Sequence, residues 1–386
     1  MQTFGVKLSS QHGFGAGFDF IRIALAASIL LFHSVVVSGS YEAFMARPTW
    51  IIPSILVPMF FGVSGFLITG SALRLRLGAF LTNRALRIFP ALAVDIVISA
   101  LIIGPLFTVA PLTTYFSNPD FYQYFGSIVG LIQYDLPGVF LTNESMGVVN
   151  QSLWTVPYEL FCYAVMSIII VSGLLHRPRL LLILFVVFIV APLAIELAVW
   201  DVNTLPKVIE SLFFGRGSGS FQCFLAGILM YLYRDRVRYD VRIWTICLVT
   251  VIAIAVSGSK GWANSGLLNV VLTPVLTYFI LFVGLARIPK VPLYSRGDYS
   301  YGVYLYGYPV QQAIYASGGS FQRSWAFNFV FAILGVTVIA MGSWHWIEKP
   351  ILKLRKNFSF VGRRIADEAE EAVITPAIQP PLRHTI

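Results

Sequence analysis

The chain has 386 residues, of which 57% are hydrophobic and only 12% charged, with a mean hydropathy of +0.77 and a formal net charge of +9. Soluble domains carry roughly 25% charged residues, so this composition excludes an ordinary soluble enzyme. The basic excess sits in short clusters between apolar runs, which is the pattern of membrane topology signals, and no nucleic-acid partner is implied.

The apolar stretches run unbroken for about 20 residues instead of alternating over about 10, which predicts membrane helices and not barrel strands. Ten spans are expected, at 18–39, 51–73, 88–110, 152–174, 179–198, 210–233, 241–257, 266–286, 298–316 and 325–347. The fold class is all-α, a polytopic helical bundle. Lysines and arginines concentrate in alternate connections, among them Arg74, Arg76, Arg84 and Arg87, whereas the opposite connections hold only Arg47, Lys207, Lys260 and Arg323. By the positive-inside rule both termini are cytoplasmic. The expected organisation is a cytoplasmic segment 1–17, a transmembrane domain 18–350 and a cytoplasmic tail 351–386, whose acidic run Asp367–Glu371 and later prolines read as disordered. Cys162, Cys223 and Cys247 lie in apolar runs without metal-type spacing and read as packing residues; no metal is expected.

Ionisable side chains inside spans are costly, so each is expected to have a partner or a function. The first span resembles a signal peptide in its flanks, with Lys7 before it and Ser38, Gly39 and Ser40 after it, but its polar residues argue that it is retained. Arg22 and His33 are eleven residues apart, 20° beyond three full helical turns, so both project from nearly one face with roughly 16 Å of rise between them. Asp19, three residues before Arg22, is expected to pair with it. The plainer reading of His33 is an imidazole hydrogen-bonded between helices; its shared face with Arg22 favours function.

Arg84 and Arg87 stand at the expected cytoplasmic start of the third span, spaced i, i+3 on one face, where two guanidinium forks can grip a phosphate or pyrophosphate. A topology anchor would use the same residues. Glu159 follows Trp154 in the fourth span, about 10 Å deep from its outer end, while His33 is about 22 Å above the cytoplasmic end of a core some 30 Å thick. At similar depth, Glu159 could orient His33, tune its basicity or bind a sugar hydroxyl, or simply pair with another span. The sixth span is interrupted by Gly215-Arg216-Gly217-Ser218-Gly219-Ser220, which marks either a break beside a water-filled cavity or a short span after an external loop.

These residues resemble the acyltransferase 3 family of integral-membrane bacterial O-acyltransferases, from Phe18 to Pro350. Asp19-Phe20-Ile21-Arg22 followed by His33 is similar to its Asp-x-x-Arg and Arg-x10-His pattern, and Phe60-Phe61-Gly62-Val63-Ser64-Gly65-Phe66-Leu67-Ile68 to its second-span signature. Arg84-x-x-Arg87 before Phe89-Pro90 and Trp154-x4-Glu159 match further elements, and Ser300 to Leu305 with Ile347-Glu348-Lys349-Pro350 resemble the late-span signatures. The resemblance implies an acyl-CoA co-substrate, acetyl-CoA above all, and a hydroxyl on a cell-surface or secreted glycan or lipid-linked sugar as acceptor. It further implies an inner-membrane location, with polysaccharide synthesis or export machinery as a possible partner. In these terms His33 and Glu159 are the candidate catalytic residues, Arg22, Arg84 and Arg87 the donor-binding residues, and Asp19, Ser64 and Trp154 supporting ones. Two departures limit the likeness. Many members carry a histidine soon after the Tyr-Leu of the ninth span, where Tyr304-Leu305-Tyr306 here leads to Gly307, and the chain is expected to be a standalone member without an extracytoplasmic hydrolase-like domain. The competing class is a glycan or lipid-linked sugar transporter, with Arg, His and Glu lining a pathway beside the interrupted sixth span. A membrane scaffold would leave the in-span charges unexplained.

Overall fold

The computed structural model describes residues 2–11, 15, 17–198, 205–258, 265–288, 297–319 and 323–354. Ten long helices stand near the ten expected positions: α1 (Phe18–Val37), α2 (Ile52–Ala72), α3 (Leu77–Ile98), α4 (Thr155–Val171), α5 (Pro178–Leu197), α6 (Ser218–Leu232), α7 (Val241–Ser257), α8 (Gly266–Gly284), α9 (Ser300–Ser317) and α10 (Trp325–Ser343). Among the described residues the β contacts are isolated bridges only. Seven helical stretches are long and apolar enough to cross a bilayer, and α6 and α7 are apolar but shorter. The protein is a multi-pass helical membrane protein. The expected tail lies outside the described residues from 355 onward, while the chain before it continues past α10 as a π turn (Trp344–Glu348) and a short helix (Lys349–Lys353).

Position in the bundle follows side-chain chemistry. Between Arg179 and Glu196 near its ends α5 is apolar on every face, and it buries few of its side chains, as a lipid-facing helix does. α9 carries Tyr304, Tyr306, Tyr308, Gln311 and Gln312, polar groups that are costly against lipid. It is accordingly enclosed by α1, α3 and α10, with both glutamines fully buried and hydrogen-bonded.

The glycine-rich run of α2 is explained by its crossing with α6. A Cβ on Gly65 would run into the carbonyl of Phe224, and one on Gly227 into the carbonyl of Gly62, so the two backbones touch where side chains are absent. Gly65→Val is expected to cost about 1–3 kcal/mol through overpacking. The thermal midpoint of the detergent-solubilised protein measures this, and an unchanged midpoint would mean that the crossing can open without cost.

Two expected spans are corrected. The third helix begins at Leu77, not 88, and runs through Arg84 and Arg87 before ending in a π turn (Ser99–Ile103) and Gly104–Phe107. Hydropathy penalises arginine, but helix propensity does not, and the Arg87 guanidinium finds carboxylates inside the bundle. In the sixth span, a turn at 214–217 separates a short helix (Lys207–Phe213) from α6. Fifteen residues rise only about 22 Å, so the turn carrying Arg216 reaches down to Trp154 at the head of α4.

The segment 108–150 is a folded cap with three short helical pieces, Leu112–Ser117, Pro119–Tyr124 and Phe125–Val129. Buried amides dock it onto the bundle. Asn143 donates to Gln312 Oε1 at 2.9 Å, and Gln312 donates to the carbonyl of Val148 at 2.7 Å. Asn150 donates to Asp95 Oδ2 at 2.8 Å and to the carbonyl of Leu305 at 2.9 Å, which fixes the entry into α4.

Candidate active site

A cavity of about 610 Å³ opens among α1, α2, α3, α4, α9 and the Lys349–Lys353 helix. It gathers Arg22, Ser64, Arg84, Arg87 and Glu159, which are far apart in sequence. Its walls are otherwise mainly apolar, with Val57, Phe60, Phe61, Val63 and Leu67 along α2, and Lys349 and Lys353 line one end.

Two of the three arginines are fixed by carboxylates. Arg22 Nη1 and Arg87 Nη2 both donate to Asp298 Oδ2, at 2.6 and 2.8 Å, and Arg87 Nη1 reaches Glu348 Oε2 at 3.3 Å. The expected partner of Arg22 is therefore replaced: Asp298 holds it, and Asp19 is exposed. The physical reason is burial, since Asp298 comes in from the start of α9 and neutralises two guanidiniums at once. Glu348 is itself positioned, because its Oε1 accepts from Ser343 Oγ at 3.0 Å, and that hydroxyl lies 2.7 Å from Tyr306 Oη.

Arg84 is differently placed. It forms no ion pair among the described residues, and its Nε is buried without a hydrogen-bond partner, as is Tyr301 Oη on the same cavity wall. Unpartnered buried donors of this kind are rare and costly. A ligand bearing anionic oxygens would satisfy both.

Glu159 belongs to the arginine cluster. Its Oε1 accepts from Tyr163 Oη at 2.6 Å, and it lines the same cavity as Arg22, Arg84 and Arg87. His33 does not line the cavity; it is buried between Phe32 and Tyr308, whose ring meets the imidazole edge-on at 5.1 Å. His33 and Glu159 are thus in two neighbouring compartments. Tyr304 in the cavity wall and Tyr308 against His33 are four residues apart on α9, so about 6 Å of helix separates the cavity's inner end from the imidazole. Tyr304 Oη also lies 2.9 Å from Thr155 Oγ1, the residue that follows Trp154.

Asp298 and Glu348 had no role in the sequence reading, nor did Asp95, buried in α3 and bonded by Asn150. The signal for Asp95 was present, since a carboxylate inside an expected span is exceptional. Asp298 and Glu348 carried a weaker one, because they stand at the edges of the ninth and tenth expected spans and pair across about 200 residues of sequence or more.

The sequence model of the acyltransferase 3 family, described as an acyltransferase domain, matches residues 16–345. The chain is 25% identical to the O-acetyl transferase of Shigella phage Sf6 over 340 residues, 87% of this chain and 95% of that protein. It is 27% identical to nodulation protein 10 of Rhizobium leguminosarum bv. viciae over 379 residues, 93% of this chain and 99% of that protein. No solved structure matches it. A family match over most of the chain, on a helical bundle whose motif residues line one charged cavity and its neighbouring compartment, makes this protein a member of the acyltransferase 3 family of membrane acyltransferases.

Proposed function

We propose that the protein is an inner-membrane O-acyltransferase that moves an acyl group, acetyl above all, from cytoplasmic acyl-CoA to a hydroxyl of a cell-surface or secreted glycan or lipid-linked sugar. The observation that carries this reading is the cavity wall, where Arg84 Nε and Tyr301 Oη lack partners beside two arginines fixed by Asp298 and Glu348. Phosphates of CoA would be held by Arg84, with Lys349 and Lys353 at the cavity's end and Arg22 and Arg87 supplying a fixed positive field. The apolar wall of α2 suits the pantetheine arm, which would bring the thioester past Ser64 and Glu159 toward Thr155 and Tyr304. The name of one relative, an O-acetyl transferase, supports the same class of reaction.

The acceptor hydroxyl would meet the thioester next to His33. In direct transfer, His33 takes the hydroxyl proton while the oxygen bonds to the thioester carbon; the C–S bond breaks, and His33 returns the proton to the departing sulfur. In the other route the imidazole nitrogen bonds to the carbonyl carbon, the C–S bond breaks and the imidazole proton leaves with the CoA sulfur; the acceptor oxygen then bonds to the acyl carbon as the N–C bond breaks, and the hydroxyl proton returns to the imidazole. Incubation with acetyl-CoA alone, followed by intact-protein mass spectrometry, separates the routes, since only the second leaves an acetylated protein.

Calorimetric titration with acetyl-CoA tests the donor assignment. Arg84→Ala is expected to weaken binding by about 10- to 100-fold, the worth of a charge-assisted contact of roughly 1.5–3 kcal/mol. Its thermal midpoint is expected to stay within a few degrees of the wild type, because no ion pair is lost. Unchanged affinity would return Arg84 to a topology anchor.

A further inference from the structure

The donor cavity and its arginines leave one cation of the site unused. Arg216 lies on the turn before α6, its guanidinium 4.2 Å from the centroid of the Trp154 ring, and it has no carboxylate partner among the described ion pairs. The turn is built to hold it there. A Cβ on Gly217 would run into the Tyr158 ring, so glycine lets the backbone press against α4 and lay the neighbouring arginine over Trp154. Trp154 and Tyr158 meet edge to face at 5.7 Å, and the residue after Trp154, Thr155, lies 2.9 Å by its Oγ1 from Tyr304 Oη.

The location relative to the donor cavity follows from the helix ends. Lys349, Lys353 and Arg84 stand near the start of α3 and beyond the end of α10, whereas Arg216 and Trp154 precede the starts of α6 and α4. Arg216 is exposed, and Trp154 and Tyr158 are half-buried, so the cluster presents aromatic faces and one open guanidinium outside the cavity lining, at the end of the cavity where Tyr304 stands one helical turn from the Tyr308 that packs on His33. Aromatic faces stack on sugar rings through their apolar C–H surfaces, and a planar guanidinium fork recognises carboxylate or phosphate. An uncompensated cation in such a frame selects for charge.

We propose that Arg216, held over Trp154, forms the acceptor subsite and selects an anionic saccharide, one bearing a carboxylate or a phosphate near the hydroxyl that receives the acyl group. This rests on the reading of the chain as a glycan acyltransferase and adds to it the charge class of the acceptor and the residue that reads it.

The test uses the full chain in detergent micelles and three soluble probes measured by calorimetry: maltotetraose as the neutral sugar, tetragalacturonate as the carboxylate and maltose 1-phosphate as the phosphate. Wild-type protein is expected to bind one anionic probe at least about tenfold more tightly than maltotetraose, and the probe preferred identifies the anion. Arg216→Gln is expected to lose that margin and Arg216→Lys to keep part of it, with thermal midpoints unchanged. The absence of a preference for either anion, or a preference that survives Arg216→Gln, would overturn the proposal. Acetyl-CoA titrated into the same samples reads the donor assignment separately: its affinity is expected to be equal in wild type and Arg216→Gln, and a wild type that does not bind it would contradict the acyltransferase reading whatever the sugar probes do.

Discussion

Replacement of His33 by alanine is expected to lower acyl transfer by about 10²–10⁴-fold, the usual contribution of a positioned acid–base group, while leaving acetyl-CoA affinity unchanged. The imidazole packs against Phe32 and Tyr308 and lies outside the lining of the cavity proposed for the donor, so its removal would take away no contact with the phosphates of CoA. Alanine also leaves a small void, and His33→Gln serves as a control of similar size. Both variants should unfold near the wild-type temperature and bind donor normally, yet fail to release CoA thiol in the presence of acceptor. Wild-type turnover in either would remove His33 from the chemistry.

Arg87→Ala is expected to act on stability before it acts on donor binding. Arg87 bridges Asp298 and Glu348, and Glu348 is almost wholly buried. Removing one member of a buried ion cluster typically costs about 3–5 kcal/mol, because the remaining charges are left uncompensated. Arg22 would still hold Asp298, but Glu348 would keep only the Ser343 hydroxyl. The thermal midpoint should therefore fall clearly in Arg87→Ala and hardly at all in Arg84→Ala, although the two residues share a motif. The double variant Arg87→Ala with Glu348→Gln should recover part of the loss, since it removes the stranded charge. Equal midpoints for the two single variants would contradict the division of labour between them.

That division shows where sequence reading stops. The ten helices were legible because an apolar run of about 20 residues has few other outcomes, and residues 16–345 carry the family's pattern. The gathering of Arg22, Ser64, Arg84, Arg87 and Glu159 around one cavity follows motifs that could be named in the sequence. What each arginine does could not be read, because it depends on which carboxylate faces it. Asp298 and Glu348 come from the far end of the chain, and no local periodicity reports a partner 211 or 261 residues away. Depth estimates for His33 and Glu159 gave similar levels but no azimuth, so they could not place one against Tyr308 and the other among the arginines of the cavity. The glycine and serine interruption before α6 was ambiguous for the same reason: its meaning lies in the Tyr158 and Trp154 rings it packs against.

The account makes the bundle a reaction vessel with a donor end and an acceptor end. Inverted membrane vesicles, with the cytoplasmic face outward, test this most directly when acetyl-CoA labelled with ¹⁴C in the acetyl group is added outside and glycan acceptor is enclosed within. The account predicts label in the enclosed glycan with intact vesicles carrying wild-type protein, and none with His33→Ala. Label that reaches glycan only after the vesicles are permeabilised, or equally with both proteins, would contradict it.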